Sequence, residues 1–180
     1  MRADAPLQEL VTQFLSEDLD EVRILDVGAG PLTILGKVWG DRRVHIDAAD
    51  ALAERYEPSL AEAGIVPLVP TQQCFSESLT NSFAEGSYDL TFARNTLDHS
   101  LDPVEALREM CLVTRPGGVI LCQHAENEGA SEEYVGLHGW NFSYEDESLV
   151  VWNTERREDC LLYTSPSPRD RTRSRMPSSA

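Results

Sequence analysis

An acidic residue and two glycines stand where a short apolar run ends, in the segment RILDVGAGPLTILGK. Residues 24–27 predict a buried strand, and Gly28 and Gly30 let the backbone turn sharply after it with no Cβ in the way of a ligand. Pro31 suits the first turn of a helix, whose free N–H groups would face a ligand over the end of the strand. The pattern predicts a strand, a glycine turn and a helix that bind phosphate, carboxylate or hydroxyl oxygens.

Polar residues follow three of the other apolar runs in the same way. Asp50 follows the second run, residues 95–99 follow the fourth and residues 124–128 follow the fifth. Because ligands of open α/β sheets lie outside the carboxyl ends of the strands, these residues are expected at one edge of the sheet, next to the glycine turn. This coincidence predicts an active site at that edge.

Two ligand classes use such a turn, and the neighbours of the glycines discriminate between them. A dinucleotide fingerprint requires G-x-G-x-x-G, and Thr33 stands at the third position, where its side chain would crowd the contact of helix and strand. The D-x-G-x-G arrangement that begins at Asp26 instead resembles motif I of the class I S-adenosylmethionine-dependent methyltransferases. An ordinary strand-to-helix turn of an α/β domain is the simpler alternative.

Longer segments carry the same resemblance. DVGAG, DALAERY, NTLDHSLDP, RPGG, H-x-E-N-E-G and Y-x-G-L-H-x-W-N, found within residues 23–152, together resemble a bacterial group of class I methyltransferases with LDHS and GLHxWN segments. The resemblance implies an enzyme that takes a methyl group from S-adenosylmethionine. It leaves the acceptor open, either a small molecule or a component of the cell-envelope type.

The resemblance also implies which residues hold the methyl donor. Asp26 would help to hold its amino-acid end, and Asp50, 20 residues after Gly30, would bind the ribose hydroxyls, although Asp50 also suits the cap of the next helix. Phe75 stands where the family commonly has an acid against the adenine, so that stacking replaces a hydrogen bond. The full predicted donor set is Asp26, Gly28, Ala29, Gly30, Asp50, Phe75, Ser76 and Asn95.

Two histidines are the candidates for catalysis. Methyl transfer is an in-line displacement, so a general base is needed only when the acceptor must lose a proton. His99 and His124 follow strand ends, imidazole is the side chain suited to proton transfer near neutral pH, and Asp98 or Glu126 would orient the ring. Two alternatives stay open: the histidines only tie down loops, or they bind a metal together with His138. The chain lacks a local spacing such as H-x-x-x-H, so no metal is predicted.

The acceptor is expected against the segments near the fourth and fifth strands. Tyr134, His138 and Trp140 would wall its pocket, although Trp140 and Trp152 would equally form the core of a hairpin. The predicted acceptor residues are Asp98, Glu126, Asn127, Glu128, Tyr134, His138 and Trp140.

The elements that position these residues alternate between strand and helix. This alternation predicts an α/β fold with a Rossmann-like, doubly wound parallel sheet. Strands are predicted at residues 24–27, 43–46, 65–69 and 88–93, with a fifth from residue 119. Helices are predicted at residues 7–15, from 31 to about 40, after 50 with a break at Pro58, and from the Asp102 cap to RPGG. A β-hairpin around EDES is predicted after the fifth strand.

Composition bounds the partners. A formal charge of −16 makes nucleic acid and anionic membrane surfaces unlikely to bind, because both would be repelled. No signal peptide, transmembrane span or paired cysteine spacing is visible, which predicts a soluble, cytoplasmic protein. The sequence does not give the oligomeric state.

The C-terminal residues break with the acidic body of the chain. From Cys160 the sequence reads CLLYTSPSPRDRTRSRMPSSA, which matches translated sequencing-adapter DNA better than an ordinary basic tail. The prediction is a C-terminally truncated methyltransferase domain at residues 1–159, followed by a disordered segment at residues 160–180.

The favoured function is S-adenosylmethionine-dependent methyl transfer. Two alternatives are kept, a nicotinamide-dependent oxidoreductase and a donor-binding module without catalysis. Thr33 and Asp26 disfavour the first, whereas Phe75 and the truncation favour the second. Titration with both cofactors and an assay of turnover would separate the three.

Overall fold

The computed structural model of the chain describes residues 2–145 and 148–160, and its centre is a parallel sheet of five strands. The strands are β1 Glu21–Val27, β2 Arg43–Asp50, β3 Thr71–Gln73, β4 Tyr88–Arg94 and β5 Thr114–Gln123. Their order is β3-β2-β1-β4-β5, so the direction of winding reverses between β1 and β4. The Rossmann-like, doubly wound sheet is confirmed, and the carboxyl ends of β1 and β4 meet where such sheets bind ligands.

The central strand β1 is buried on both faces. Val22 and Ile24 belong to one core cluster, and Leu25 and Val27 belong to the other. This two-sided burial explains why β1 reads as an apolar run rather than an alternation. The helical residues that complete the second cluster come from α3 Pro103–Val113.

The N-terminal helix is much shorter than its apolar spacing predicts. Only α1 Glu9–Thr12 is helical within residues 7–15. Leu7, Val11 and Leu15 are nevertheless buried in the first core cluster, while Phe14 is 38% exposed. The segment covers the core as predicted, but with a single helical turn.

The prediction of a helix after the glycine turn is wrong, because residues 28–42 contain no helix. The Gln8 side chain holds this segment from outside, donating to the Ile34 carbonyl at 2.7 Å and accepting from the Gly36 N–H at 3.2 Å. A Cβ on Gly36 would collide with the Pro6 backbone. These contacts with the N-terminal segment replace the hydrogen bonds that a helix would make.

The third strand and the break at Pro58 are also corrected. β3 is Thr71–Gln73 rather than residues 65–69, where Pro67 lacks the N–H that a ladder needs and Val66 is 88% exposed. α2 Ala53–Glu62 runs through Pro58 without a break. Pro58 is exposed, so water can reach the carbonyl group that loses its helical partner.

The start of α3 follows the predicted cap. The Asp102 carboxylate accepts from the backbone N–H of Val104 at 3.0 Å and of Glu105 at 3.2 Å. The return bond of a capping box comes from a distant residue, because Glu77 Oε1 accepts the Asp102 N–H at 3.1 Å while Glu105 pairs with Arg108. The helix ends at Val113, just before RPGG, and the predicted start of the fifth strand is corrected, since β5 begins at Thr114 and includes RPGG.

A three-stranded antiparallel sheet follows the parallel one. β6 Asn141–Glu145 and β7 Ser148–Trp152 form the predicted hairpin, although residues 146–147 of its EDES turn lie outside the described residues. β8 Arg157–Cys160 adds a strand that the sequence does not predict, and Cys160 is the last residue of that strand. Residues 161–180 of the predicted disordered segment lie outside the described residues. None of the described helices is long and apolar enough to span a membrane.

Candidate active site

The glycine turn brings the end of β1 against the loop that follows β4. Gly28 and Gly30 have φ angles of 68° and 65°, which glycine adopts without a steric penalty. A Cβ on Gly28 would collide with the Thr96 side chain, whereas a Cβ on Gly30 would have no atom within 4 Å. Gly28 is therefore needed for contact with the neighbouring loop, and Gly30 borders open space. The N–H of Ala29 donates to the Ala49 carbonyl at 3.0 Å.

Asp50 links the glycine turn to the beginning of α2. Its Oδ2 accepts from the Gly30 N–H at 2.9 Å, and its Oδ1 accepts from the Leu52 N–H at 2.8 Å and from the Tyr56 hydroxyl at 3.2 Å. A carboxylate offers about four lone-pair sites, so one acceptor site is left for a ligand hydroxyl. Both predicted roles of Asp50, stabilising the helix start and binding a ligand, are compatible with this geometry.

Asp26 is a buried carboxyl group with no salt bridge among the described residues. It is 3% exposed, and the Thr33 hydroxyl donates to it. Burial raises the pKa of Asp26 to about 6, with the Thr33 hydrogen bond and the more distant Lys37 opposing the shift. The Lys37 ammonium donates to the Leu35 carbonyl instead. A buried acid in this state fits a cationic ligand group such as an ammonium.

The end of β3 is attached to the same two elements. The Thr71 hydroxyl donates to the Gly30 carbonyl at 2.8 Å, and the Cys74 N–H donates to the Asp50 carbonyl at 3.2 Å. Phe75 comes next and is 50% exposed. Its ring is therefore an available surface for stacking beside the glycine turn and Asp50.

Ser76 and Asn95 lie on the segments that follow β3 and β4. Ser76 begins the 3₁₀ helix Ser76–Asn81, and its hydroxyl lies 3.2 Å from the Ser100 hydroxyl of the loop after β4. Asn95 is exposed, and its backbone has the left-handed conformation, with φ of 45°. Its N–H donates to the Gln123 carbonyl at 2.9 Å. These bonds fasten the loop after β4 on both sides.

Three histidines surround Asp98, which lies in the 3₁₀ helix Leu97–His99 and is 1% exposed. Its Oδ2 lies 2.8 Å from His138 Nδ1 and 3.2 Å from His99 Nε2, and the two ring nitrogens are 3.2 Å apart. His124 Nδ1 lies 3.7 Å from Asp98 Oδ1. We call these four residues the histidine cluster. The structure thus unites both predicted catalytic histidines with the acid predicted to orient them.

The histidines of the cluster differ in their surroundings. The His124 side chain is 6% exposed, stacks on Phe142 with ring centroids 4.8 Å apart, and has neither ring nitrogen in a hydrogen bond. Burial lowers the pKa of His124, and the charge of Asp98 opposes this shift. The hydrogen bond that His138 donates to the Asp98 carboxylate raises the pKa of His138.

Backbone contacts hold the two halves of the histidine cluster together. The Gly139 N–H donates to the Asp98 carbonyl at 2.9 Å, and the Trp140 indole N–H donates to the Ser100 carbonyl at 3.0 Å. Trp140 is 8% exposed and packs in the second core cluster. Trp140 therefore anchors the loop that carries His138.

Glu126 and the hairpin border a cavity of about 310 Å³ beside His124. Leu97, Leu107 and Phe142 form part of its apolar wall and belong to the second core cluster. Its size is at the lower end for a small-molecule site. A second cavity, near Arg23 and His45, does not touch the predicted site residues.

The remaining predicted acceptor residues lie on and around α4 Glu128–Ser131. Asn127 is left-handed, with φ of 56°, and its side-chain oxygen is buried without a partner, as is Glu128 Oε2. The Tyr134 hydroxyl accepts from the Asn141 side chain at 2.9 Å. Tyr134 is thus held by the hairpin, whereas Asn127 and Glu128 keep unsatisfied polar atoms.

Sequence reasoning missed three residues that shape the site. Thr96 fills the space beside Gly28, Tyr56 donates to Asp50, and Phe142 stacks on His124. Tyr56 follows Asp50 by six residues on the first turn of α2, so a local pattern pointed to it. Thr96 and Phe142 act on residues that are distant in sequence, and no local pattern indicates them.

The chain is similar in sequence to known methyltransferases. Residues 25–122, just over half of the chain, match the model of a family described as a methyltransferase domain. An uncharacterized methyltransferase of Schizosaccharomyces pombe is 31% identical over 152 residues, covering 66% of this chain and 50% of that protein. The chain therefore spans about half the length of this curated relative.

Solved structures also match the chain. The YcgJ protein from Bacillus subtilis is 26% identical, with a TM-score of 0.44, over 66% of this chain and 51% of that one. A SAM-dependent methyltransferase from Aquifex aeolicus is 16% identical, with a TM-score of 0.48, over 75% of this chain and 79% of that one.

Proposed function

Since the chain belongs to the S-adenosylmethionine-dependent methyltransferase family, we propose that it transfers a methyl group from S-adenosylmethionine to a small acceptor bound beside the histidine cluster. The contact of Gly28 with Thr96 carries this proposal. It sets the glycine turn directly against the loop that holds Asp98 and His99, so a donor over the turn lies next to an acceptor at the cluster.

The acidic residues of the turn suit the charge of the donor. S-adenosylmethionine carries an ammonium and a sulfonium, and Asp26 and Asp50 are close enough for the charge of Asp50 to raise the pKa of Asp26. Asp26 would hold the ammonium group, and Asp50 would accept from the ribose hydroxyls. Phe75 would stack on the adenine. A nicotinamide cofactor is not favoured, because Thr33 stands where the dinucleotide fingerprint requires its third glycine, and the Thr33 hydroxyl donates to Asp26.

The acceptor side offers groups that can take a proton. His99 is about one-third exposed, at the outer side of the cluster, whereas His124 borders the cavity lined by Glu126 and keeps both ring nitrogens free of hydrogen bonds. In-line attack on the methyl group needs alignment first, and a base only for an acceptor that loses a proton. Asp98 would orient His99 in that step. The cavity favours a small, partly apolar acceptor over a cell-envelope polymer.

Calorimetry with S-adenosylhomocysteine tests donor binding on the full 180-residue chain. Asp50→Asn keeps the shape of the side chain and removes its charge, and we expect at least a ~10-fold loss of affinity, which is the loss of one good polar contact. Asp47→Asn is the matched control, because Asp47 lies on the same strand but bonds Tyr88 at 2.8 Å. Equal affinities for the two variants would remove Asp50 from the donor site.

Turnover separates an enzyme from a donor-binding module. The chain is incubated with S-adenosylmethionine labelled in the methyl group and with the low-molecular-mass fraction of a cell extract. We expect labelled product that is lost in His124→Ala. Donor binding without label transfer by any preparation would favour the non-catalytic module.

A further inference from the structure

The histidine cluster contains three donor atoms in a compact triangle. Asp98 Oδ2, His99 Nε2 and His138 Nδ1 lie 2.8, 3.2 and 3.2 Å from one another. Metal–nitrogen and metal–oxygen bonds of about 2.0–2.2 Å place neighbouring ligand atoms about 3 Å apart, so the triangle has the dimensions of one face of a coordination sphere. From this geometry we propose that Asp98, His99 and His138 bind a divalent first-row transition metal ion, for which zinc is the probe.

Two buried polar groups beside the triangle give independent support. Asp98 Oδ1 and both ring nitrogens of His124 are buried and have no hydrogen-bond partner, and His124 Nδ1 lies 3.7 Å from Asp98 Oδ1. Buried polar atoms are rarely left unpaired, because each costs about 1–3 kcal/mol. An ion bound by Asp98 would place a positive charge next to these unpaired atoms.

The electrostatic surroundings favour a cation. The charged side chains that act on His138 are Asp98, Glu128 and Glu132, and all three are acidic. Glu128 Oε2 is itself buried without a partner. The protein thus concentrates negative charge around His138.

The donor set indicates the kind of ion. Two imidazoles and one carboxylate suit zinc or iron(II), whereas magnesium and calcium prefer oxygen ligands alone. The His99 and His138 side chains are 32% and 28% exposed, so solvent or a substrate can reach the ion. Three protein ligands with an open position are typical of catalytic rather than structural sites.

The ligands are held in place without the ion. The Gly139 N–H bonds to the Asp98 carbonyl, and the Trp140 indole N–H bonds to the Ser100 carbonyl, which ties the loop of His138 to that of His99. His99 and His138 are 39 residues apart in the chain, which explains why a search for local ligand spacing does not find the site.

A role in methyl transfer follows, and this step rests on the proposed function. The ion would bind the acceptor through oxygen or nitrogen and lower the pKa of that group, which makes the nucleophile at neutral pH. His99 would then act as a ligand, and His124 would be left to take the proton.

Zinc binding by the full chain is measured by competition with a chromogenic chelator. We expect one zinc ion per chain at this site, and at least a ~100-fold weaker affinity in His138→Ala and in Asp98→Asn, because outer-shell changes alone cost about 10–100-fold. His45→Ala is the matched control, since His45 lies on β2, contacts Glu21 of β1 and is outside the cluster. Its zinc affinity should equal that of the unchanged chain.

A second measurement keeps this test separate from the proposed function. Each variant is titrated with S-adenosylhomocysteine, and unchanged donor affinity in His138→Ala shows that the fold is intact. Zinc affinity that is the same in His138→Ala and His45→Ala would overturn the metal site even if the donor binds. Zinc binding that depends on His138 in a chain without donor affinity would support the metal site and refute the proposed function.

Discussion

The glycine turn and the histidine cluster lie at the same edge of the sheet but are built from different kinds of contact. The acidic residues of the turn bond to partners at most 20 positions away, with Asp50 accepting from Gly30 and Thr33 donating to Asp26. The cluster joins the loop after β4 to the segment before β6. The comparison teaches that a local motif identifies the proposed donor side of this site, whereas long-range packing assembles the proposed acceptor side.

The largest expected effect comes from filling the contact where the two regions meet. Gly28→Ala adds a Cβ that collides with Thr96 at a positive φ, and we expect a loss of about 3 kcal/mol or more in the free energy of unfolding. Gly30→Ala has a similar φ but open space, so about 1 kcal/mol is expected. Urea unfolding measures both. Equal losses would show that the backbone conformation, and not the contact with Thr96, makes Gly28 necessary.

The next effect is a pH dependence of the free energy of unfolding that comes from Asp26 in the glycine turn. The Asp26 pKa is raised from 3.8 to about 6 in the fold, so the contribution of Asp26 to stability is complete below pH 4 and is lost as the pH rises through 6. That difference corresponds to about 3 kcal/mol. Relative to Asp26→Asn, which does not titrate, the unchanged chain should lose this stability between pH 4 and 7.

Donor binding should show the opposite trend at the same residue. An ammonium pairs with the ionised carboxylate, so affinity for S-adenosylhomocysteine should rise between pH 5 and 7 in the unchanged chain and stay flat in Asp26→Asn. A pH profile that is the same for both proteins would contradict the role of Asp26. The titration is followed by calorimetry.

The smallest effect should separate stability from ligand binding in the histidine cluster. Trp140→Phe removes the indole N–H that bonds to the Ser100 carbonyl, which costs about 1 kcal/mol of stability. Zinc affinity should fall about 10-fold, because the loop that presents His138 is less firmly held. Donor affinity should not change. A loss of donor affinity as large as the loss of zinc affinity would show that the two regions are not separate units.

How far the sequence predicts the fold depends on where the contacts come from. β1, β4 and the Asp102 cap were predicted correctly because their apolar runs and capping residues act over a few positions. The prediction of a helix after Gly30 was wrong, because the Gln8 side chain and the Pro6 backbone contact that segment from a distant part of the sequence. Proline explains the displaced β3, since an apolar composition at residues 65–69 does not supply the missing N–H groups.

The same distinction applies to the candidate site. Asp26, Gly28, Gly30 and Asp50 were found from spacing, and the structure brings them together at one end of the sheet. His99 and His124 were chosen for their chemistry and position after a strand, but their convergence on Asp98 depends on the loop that carries His138. No pattern in the sequence gives that convergence, because it is a product of tertiary packing.

The central claim is that a donor over the glycine turn lies beside the histidine cluster, and nitrogen-15 NMR of the imidazole rings tests it most directly. The chain has four histidines, so His45 serves as an internal reference distant from the site. Adding S-adenosylhomocysteine should shift the ring resonances of His99 and His138 and leave those of His45 unchanged. Binding that leaves His99 and His138 unshifted would contradict the account.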